Sequence, residues 1–320
     1  MKPLVVVAGS LNMDFVLSVE TLPAPGQTVL GSNFQMLPGG KGANQACACG
    51  KLARGEVAVR MAGRVGYDLF ADHLKASLAA AGVDVSAVHA TKSQPTGVAM
   101  IWVDRQGRNS IVVAPGANAV FTPADLGGLR STFRNADYAL FQLETPLETV
   151  SAGLQLARQE EAATILDPAP ARTLDAGLLS LVDILTPNET EACMLLGSAP
   201  RSLDLEEAAR LARELRTRTS VGAVLLKLGE KGCLWWDGHQ EIHAPAFPVQ
   251  AVDTTAAGDT FNGALAIALA EDRPLGEALR FANAAAALST TKAGAQASIP
   301  SRAEVDAFLQ QSTSLSTEPR

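Results

Sequence analysis

Short apolar runs of strand length alternate along the chain with stretches whose apolar residues recur at helical spacing. Leu4–Ala8, Val57–Ala62, Tyr138–Leu143, Thr164–Asp167, Ile184–Thr186 and Val224–Leu228 read as strands, and helices are expected from about Gly42 and about Asp68. Strand-helix alternation of this kind predicts an α/β fold, a mostly parallel sheet covered by helices on both faces. Two stretches, about 14–36 and 95–114, break the rhythm: strand-like runs follow one another with turn residues between, as in Trp102-Val103-Asp104-Arg105-Gln106-Gly107-Arg108. Both read as β-hairpin material beside the main sheet. A small sheet assembled from two insertions is suited to serve as a lid over a ligand site, and an exposed face on it as a dimer contact. With no internal repeat and no low-complexity linker, residues 1–320 are expected to form a single domain. The polar tail Gln310–Arg320 is expected to fray.

Composition narrows the partners. The chain has 320 residues, 47% of them hydrophobic and 18% charged, as in water-soluble globular proteins. A net charge of -7 provides no basic footprint for nucleic acid or an anionic membrane surface. An anionic ligand must therefore be attracted by local groups. The apolar run near the N-terminus is too short for a signal-peptide core or a membrane span. Four cysteines, Cys47, Cys49, Cys193 and Cys233, show no CxxC spacing and read as buried free thiols in a reducing, cytoplasmic setting. His239 and His243 fall in a hairpin-like segment; residues four apart on a strand lie about 13 Å apart, too far to share one metal ion.

Four stretches carry candidate chemistry. Pro38-Gly39-Gly40-Lys41-Gly42-Ala43-Asn44-Gln45-Ala46 combines glycines, which permit close backbone approach, with the donors of Lys41 and Asn44 at a helix start. It has neither the GxxxxGK[ST] spacing of a P-loop nor the GxGxxG spacing of a dinucleotide fold. The segment from Ala251 to Ala264 places small residues before a long Ala/Leu helix, whose N-terminal N–H groups and dipole suit a phosphoryl oxygen. Asp259 falls in its first turn. An isolated Asp there is ordinarily explained by the helix dipole, but Asp253, Thr254 and Thr255 beside it make a density unusual for plain capping. The turns at Val224–Gly232 and Leu185–Glu191 both begin at carboxyl ends of strands, where open parallel sheets bind ligands.

Taken together these stretches resemble the ribokinase family of carbohydrate kinases, over the chain from Gly9 to about Phe308. Gly39–Ala46 and Asp253–Gly263 are similar to the family's two signature regions. Asn12-Met13-Asp14, Gln142-Leu143-Glu144, Thr186–Glu191 and Gly294-Ala295-Gln296 fall in family order around them. The resemblance implies a three-layer α/β/α sandwich with a mostly parallel central sheet and a small β-sheet lid that often forms a homodimer contact. It implies ATP-dependent phosphorylation of D-ribose at O5, with Asp259 as the base. Asn12, Met13, Asp14, Gly40, Lys41, Gly42, Ala43, Asn44, Glu144 and Asp259 are implied for the sugar. Asn188, Lys227, Leu228, Gly229, Glu230, Lys231, Gly232, Ala257, Gly258 and Asn283 are implied for ATP. Mg²⁺ is expected on the nucleotide, and K⁺ at Asp253, Thr255, Ser289, Lys292, Gly294 and Ser298, largely through backbone carbonyls.

Two departures stand out. The family often has Gly where this chain has Ala256, a change tolerated if the backbone there is ordinary, and Thr where it has Lys227, whose ammonium either meets a phosphate or points outward. Kinases for deoxyribose, fructose or adenosine remain alternatives within the resemblance, with Asn12 as the residue expected to read the hydroxyl that deoxyribose lacks. A non-catalytic sugar-binding protein on the same fold is an alternative from another class. The missing GxGxxG argues against a NAD-dependent oxidoreductase.

Overall fold

The computed structural model of the protein describes residues 2–315. In chain order its strands are β1 (Leu4–Ala8), β2 (Asn12–Val19), β3 (Gly31–Gly39), β4 (Ala58–Gly66), β5 (Asp84–Thr91), β6 (Gly97–Val103), β7 (Asn109–Ala114), β8 (Tyr138–Phe141), β9 (Ala163–Leu166), β10 (Ile184–Leu185), β11 (Ala223–Lys227), β12 (Cys233–Trp236) and β13 (Glu241–Ala244). Its helices are α1 (Lys41–Leu52), α2 (Leu69–Ala80), α3 (Pro123–Gly128), α4 (Arg130–Phe133), α5 (Leu147–Gln159), α6 (Ala176–Leu179), α7 (Glu189–Leu195), α8 (Leu205–Thr219), α9 (Ala257–Ala270), α10 (Leu275–Thr290) and α11 (Arg302–Leu315).

β1 shows how the layers arise. All five of its residues are buried, so it has apolar side chains on both faces, as a central parallel strand requires. Val5 and Val7 pack into one core with residues of α1, α2, α9 and α10, while Leu4, Val6 and Ala8 pack into a second core with residues of α5 and α8. The sheet between these cores has the order β13-β12-β11-β10-β9-β8-β1-β4-β5. Its pairs are parallel from β11 to β5, and β12 and β13 add an antiparallel edge. The α/β/α expectation therefore holds. His239 lies in the connection between β12 and β13, and a ring nitrogen of His243 stands 2.8 Å from the Lys231 carbonyl oxygen.

The two stretches that break the alternation form a second sheet, ordered β3-β2-β6-β7. β2 pairs with β3 antiparallel from Asn12↔Gly39 and with β6 parallel from Asn12↔Gly97. Residues 20–30, inside the first stretch, form no strand and connect β2 to β3. On this sheet Phe34, Met36, Met100, Ile111, Val112 and Val113 are exposed large apolar side chains. The four cysteines are buried and free. Among the described residues no helix is long and apolar enough to cross a membrane. The expected fraying of 310–320 is only partly addressed: α11 continues to Leu315, and residues 316–320 lie outside the described residues.

What positions the site is the close crossing of α1 and α9. A Cβ added at Gly263 would lie 2.6 Å from the Ala48 Cβ and 2.9 Å from the Gln45 carbonyl oxygen. The Ala-rich stretch of α9 lets the two backbones approach here, and the approach sets Asn44 and Gln45 against Asp259. Gly263→Val is expected to lower stability by about 2 kcal/mol, because overpacking against backbone exceeds the gain in helix propensity. A denaturation midpoint unchanged from the parent protein would contradict this account of the crossing.

Candidate active site

The chain leaves β1 through Gly9 and Ser10 and enters β2 at Asn12, directly beside the start of α1. Gly40 caps α1 at φ 89°, a conformation that favours glycine, and a Cβ there would fall 2.7 Å from the Asn12 backbone nitrogen. The first turn of α1 has no acidic residue of its own. Glu144, just past β8, takes that place: its Oε2 accepts from Lys41 N at 3.1 Å and from Ser10 Oγ at 2.5 Å, and Ser10 Oγ accepts from Gly42 N at 3.3 Å. Asn118 holds Asn12 in place, donating from Nδ2 to Asn12 Oδ1 at 2.8 Å and to the Leu11 carbonyl at 3.1 Å. Asp14 is buried against Gly39. Burial, then the charges of Glu144 and Asp259, push its carboxyl up to about 7.

Asp259 lies in the first turn of α9, which is capped by Ala256 without any side-chain hydrogen bond. The N–H groups of Gly258 and Asp259 precede the helical hydrogen-bond ladder and are free for an anion. Asp259 is buried, with 6% of the residue exposed. Its Oδ2 accepts from Asn44 Nδ2 at 3.0 Å and its Oδ1 from Gln45 Nε2 at 3.1 Å. Burial pushes its carboxyl up to about 6; Asp167 adds to the rise, while Lys41 and the two amides oppose it. Gln45 also joins two acids, since its Nε2 donates to Asp167 Oδ2 at 2.9 Å. Its own Oε1 accepts from Gln142 Nε2 at 2.7 Å, which fixes the orientation of the amide. Lys227 Nζ donates to the other oxygen of Asp167 at 2.9 Å.

A cavity of about 310 Å³ opens on this network, lined by Lys41, Asp167, Glu191, Lys227, Gly258 and Asp259 among others. Burial works against the Lys41 ammonium, but Asp259, Asp167, Glu144 and Glu191 outweigh it and strengthen its hold on the proton. The Glu191 carboxyl is pushed up by burial and by Asp167, against the pull of Lys227. Two ammonium groups, a buried carboxylate and an open helix N-terminus thus face one space. Such an arrangement can bind an anionic phosphoryl group and present it to a hydroxyl held by Asp259.

The residues expected for the sugar fall into two sets. Asn12, Asp14, Lys41, Asn44, Glu144 and Asp259 bring polar side chains together, and Gly40 provides their turn. Met13 and Ala43, by contrast, have side chains in the core, and Gly42 packs on the Gly9–Ser10 backbone, so these three shape the site without side-chain contacts to offer. Among the nucleotide positions, Asn188 lines the cavity and caps α7 in a reciprocal pair with Glu191, both bonds being 2.8 Å. Gly229 and Gly232, at φ 57° and 92°, form the turn after β11. Leu228 is buried, Glu230 is exposed, and Lys231 Nζ is held by Glu189 at 3.3 Å and Ser202 at 3.0 Å. Ala257 and Gly258 form the first turn of α9. Asn283 is buried and does not line the cavity, its Nδ2 donating to the Ala244 and Pro245 carbonyls at 2.9 and 3.2 Å.

Of the residues expected for a cation, Asp253, Thr255 and Gly294 are joined by hydrogen bonds. Asp253 Oδ1 accepts from Thr255 N and Oγ1, and its Oδ2 from Gly294 N at 2.8 Å; burial opposes its charge, but these bonds hold its carboxyl below the usual range. The Ser289 and Ser298 hydroxyls donate to Ala286 and Ala295 carbonyls, and the Lys292 ammonium bonds Glu304 at 2.7 Å. The Lys292 ammonium has no lone pair to give a cation, so its backbone carbonyl is the group it could offer, whereas each serine keeps hydroxyl lone pairs as well as a carbonyl.

The geometry resolves the two departures left open by the sequence. Ala256 does not have ordinary dihedrals: at φ 59° it is left-handed, which costs a residue with a Cβ about 1–2 kcal/mol. Lys227 does not point outward; its side chain is 13% exposed and turns into the cavity. Sequence reasoning gave no role to Gln45, Asn118, Asp167 or Glu191. A signal existed for Asp167, which follows the carboxyl end of β9, where such sheets bind ligands.

The pfkB family carbohydrate kinase profile matches residues 2–302. A ribokinase of Haemophilus influenzae is 40% identical over 310 residues, covering 97% of this chain and 99% of that protein. A deoxyribokinase of Salmonella typhi is 35% identical over 306 residues, covering 95% and 98%. The structure of Arabidopsis thaliana ribokinase complexed with ribose and ATP superposes with a TM-score of 0.86 at 35% identity, covering 97% of this chain and 99% of that one. With a buried acid at an open helix N-terminus and a match across nearly its whole length, this chain belongs to the pfkB family of carbohydrate kinases.

Proposed function

We propose that this protein transfers the γ-phosphoryl group of ATP to O5 of D-ribose, giving D-ribose 5-phosphate and ADP. The observation that carries the reading is Asp259, buried at the N-terminus of α9, which no side chain caps, and aimed by Asn44 and Gln45 into a cavity with two lysines. Ribose as the sugar follows the ribokinase relative and the ribose- and ATP-bound neighbour. The site chemistry agrees: Asn12, Asp14, Asn44 and Glu144 are hydrogen-bonding groups suited to a neutral polyol. Asn44 Oδ1 is buried without a hydrogen-bond partner, and a sugar hydroxyl is a donor that would satisfy it.

In the transfer, O5 attacks the γ-phosphorus, the bond to the β-phosphate oxygen breaks, ADP leaves, and the O5 proton passes to Asp259. Little bonding to the nucleophile has formed in a loose transition state, so Asp259 orients the hydroxyl and takes its proton late. Most of the acceleration then falls to charge stabilisation by Lys41 and the Gly258 and Asp259 N–H groups. Mg²⁺ bound with the nucleotide would neutralise phosphate charge, and the Glu191 carboxylate in the cavity suits its neighbourhood. Asp253 and the carbonyls of Thr255, Ser289, Lys292, Gly294 and Ser298 would hold K⁺, bracing the loop that presents α9. Gly40, Gly42, Ala43 and Met13 shape the sugar side; Asn188, the Lys227–Gly232 turn, Ala257, Gly258 and Asn283 form or back the nucleotide side. Residues 1–320 act as one kinase domain, with the β3-β2-β6-β7 sheet as lid. Its exposed apolar side chains suit a second copy of the chain, as a homodimer.

Deoxyribose is the second reading, favoured by the 35% identical deoxyribokinase. Asn118 occupies Asn12 Oδ1, leaving the Asn12 Nδ2 donor as the group able to read one hydroxyl.

Asp259→Asn is expected to lower kcat by about 10²- to 10⁴-fold with little change in sugar affinity; near-normal kcat would refute the base assignment. In the parent enzyme kcat/KM for the sugar should fall as pH is lowered through about 7 and more steeply below about 6, as Asp14 and then Asp259 protonate. Stability runs the other way. Both carboxyls are raised from 3.8, so the folded protein holds protons that the unfolded chain releases, and the ligand-free fold is expected to melt higher at about pH 5 than at about pH 8. ADP release over ribose, deoxyribose, fructose and adenosine should be fastest with ribose, and Asn12→Ala should cost ribose about tenfold more than deoxyribose in kcat/KM. Equal loss on both sugars would remove Asn12 as the discriminating group. Replacing K⁺ by a bulky organic cation should depress turnover, and unchanged turnover would count against the cation site.

A further inference from the structure

Local structure leaves one group of the cavity unexplained. A lysine at the end of a strand ordinarily extends its ammonium to water, whereas Lys227, the last residue of β11, turns inward with 13% of its side chain exposed. A methyl placed on Gly258 would lie 3.5 Å from Lys227 Nζ, so the ammonium stands over the first turn of α9, beside the free N–H groups of Gly258 and Asp259. Positive charge at the positive end of a helix is unfavourable on its own. Asp167 offsets it from one side through a 2.9 Å bond from Nζ to Oδ1, while Asp167 Oδ2 is already engaged by Gln45. An ammonium has three donors, and among the described residues Asp167 is the acceptor bonded to this one. Lys227 is thus tethered by one bond at a place where an incoming anion would meet it together with Lys41 and the helix N-terminus.

We propose that Lys227 binds the γ-phosphoryl oxygens of the nucleotide, and that Asp167 is its resting partner, exchanged for the phosphoryl group when the nucleotide arrives. The inference rests on the kinase reading above. The γ-phosphoryl group is singled out because the Lys227 ammonium stands over the turn of α9 that carries the base, and is joined to that base through two residues, Asp167 and the Gln45 amide that links Asp167 to Asp259. The exchange leaves the base undisturbed. When Lys227 moves off Oδ1, Asp167 keeps its bond to Gln45 through Oδ2, and Gln45 keeps its bond to Asp259.

The test compares binding of ADP and of a non-hydrolysable ATP analogue with a P–N–P bridge, by calorimetry on the full-length protein. Lys227→Met is expected to weaken the analogue roughly 10- to 100-fold while changing ADP affinity by less than about twofold, since ADP lacks the group Lys227 holds. Lys227→Gln, which keeps a donor without the charge, is expected to fall between. Asp167→Asn frees the ammonium and is expected to bind the analogue at least as tightly as the parent protein. Equal weakening of both nucleotides by Lys227→Met, or of neither, overturns the proposal and leaves the kinase reading standing. Loss of analogue affinity in Asp167→Asn as large as in Lys227→Met overturns the exchange. Sugar affinity retained in each variant shows that the site is folded. A parent protein that binds neither nucleotide defeats the kinase reading itself, and this inference with it.

Discussion

Asp259 is buried, and its carboxylate is oriented by two amides, Asn44 and Gln45, that are neighbours in the first turns of α1. Burial favours the protonated form of such a group, and a protonated Asp259 has no capacity to receive a hydroxyl proton. The two donors, with Lys41, hold the carboxyl near 6, low enough to be ionised at neutral pH. Much of the local architecture serves that contact. α1 begins at Lys41 because Gly40 turns the chain at φ 89°, and Glu144 replaces the acidic residue that the first turn lacks. α1 and α9 come within reach because position 263 has no side chain.

The electrostatics follow from the same enclosure. Asp14, Glu144, Asp167, Glu191 and Asp259 are gathered around two ammonium groups, an acidic surplus in a protein whose net charge is already -7. A triphosphate gains nothing from the long-range field of such a molecule. In the proposed reaction its attraction comes from within the cavity, from Lys41, Lys227 and the peptide N–H groups of α9, where low dielectric makes each contact stronger than in water. Ala256 shows what holding that helix end open entails. It sits in the left-handed region with a Cβ, and the strain is borne because the surrounding backbone fixes the turn: Ala257 N donates to Thr254 O and Thr260 N to Ala256 O.

Much of this was legible in the sequence, and the remainder was hidden for physical reasons. The layers could be read because β1 is apolar at every position and the helices are patterned, and periodicity reports burial directly. The small sheet announced itself by consecutive strand-like runs, although the β2–β6 pairing joins segments about eighty residues apart, a distance over which local pattern is silent. Asp259 was visible through its small-residue company. Gln45, Asp167 and Lys227 were not visible as a chain of contacts, because a hydrogen-bond network among residues 45, 167, 227 and 259 is a property of the folded topology. Asn283 was assigned from resemblance, and its bonds to the backbone carbonyls of Ala244 and Pro245, at the end of β13, are likewise invisible to local pattern. Ala256 looked like a minor size change, and its cost depends on a dihedral that composition does not reveal.

The pairing of β2 has a further meaning. Its ladders to β3 and to β6 start at the same residue, Asn12, opposite Gly39 on one side and Gly97 on the other. Both partners are glycines crowded by the side chains of β2: a Cβ at Gly39 would collide with Asp14 and one at Gly97 with Asn12. A slip of one position in either ladder would therefore do more than reverse the faces of the strand. It would push a side chain into the space of Asp14 or Asn12. Alignment errors in this sheet are thus self-penalising during folding, and mutational drift has unequal freedom along it. The connection 20–30, which pairs with neither strand, has freedom to vary in length and composition, whereas the pairing of Asn12 with two glycines acts as the datum from which the side chains of Asn12 and Asp14 are placed.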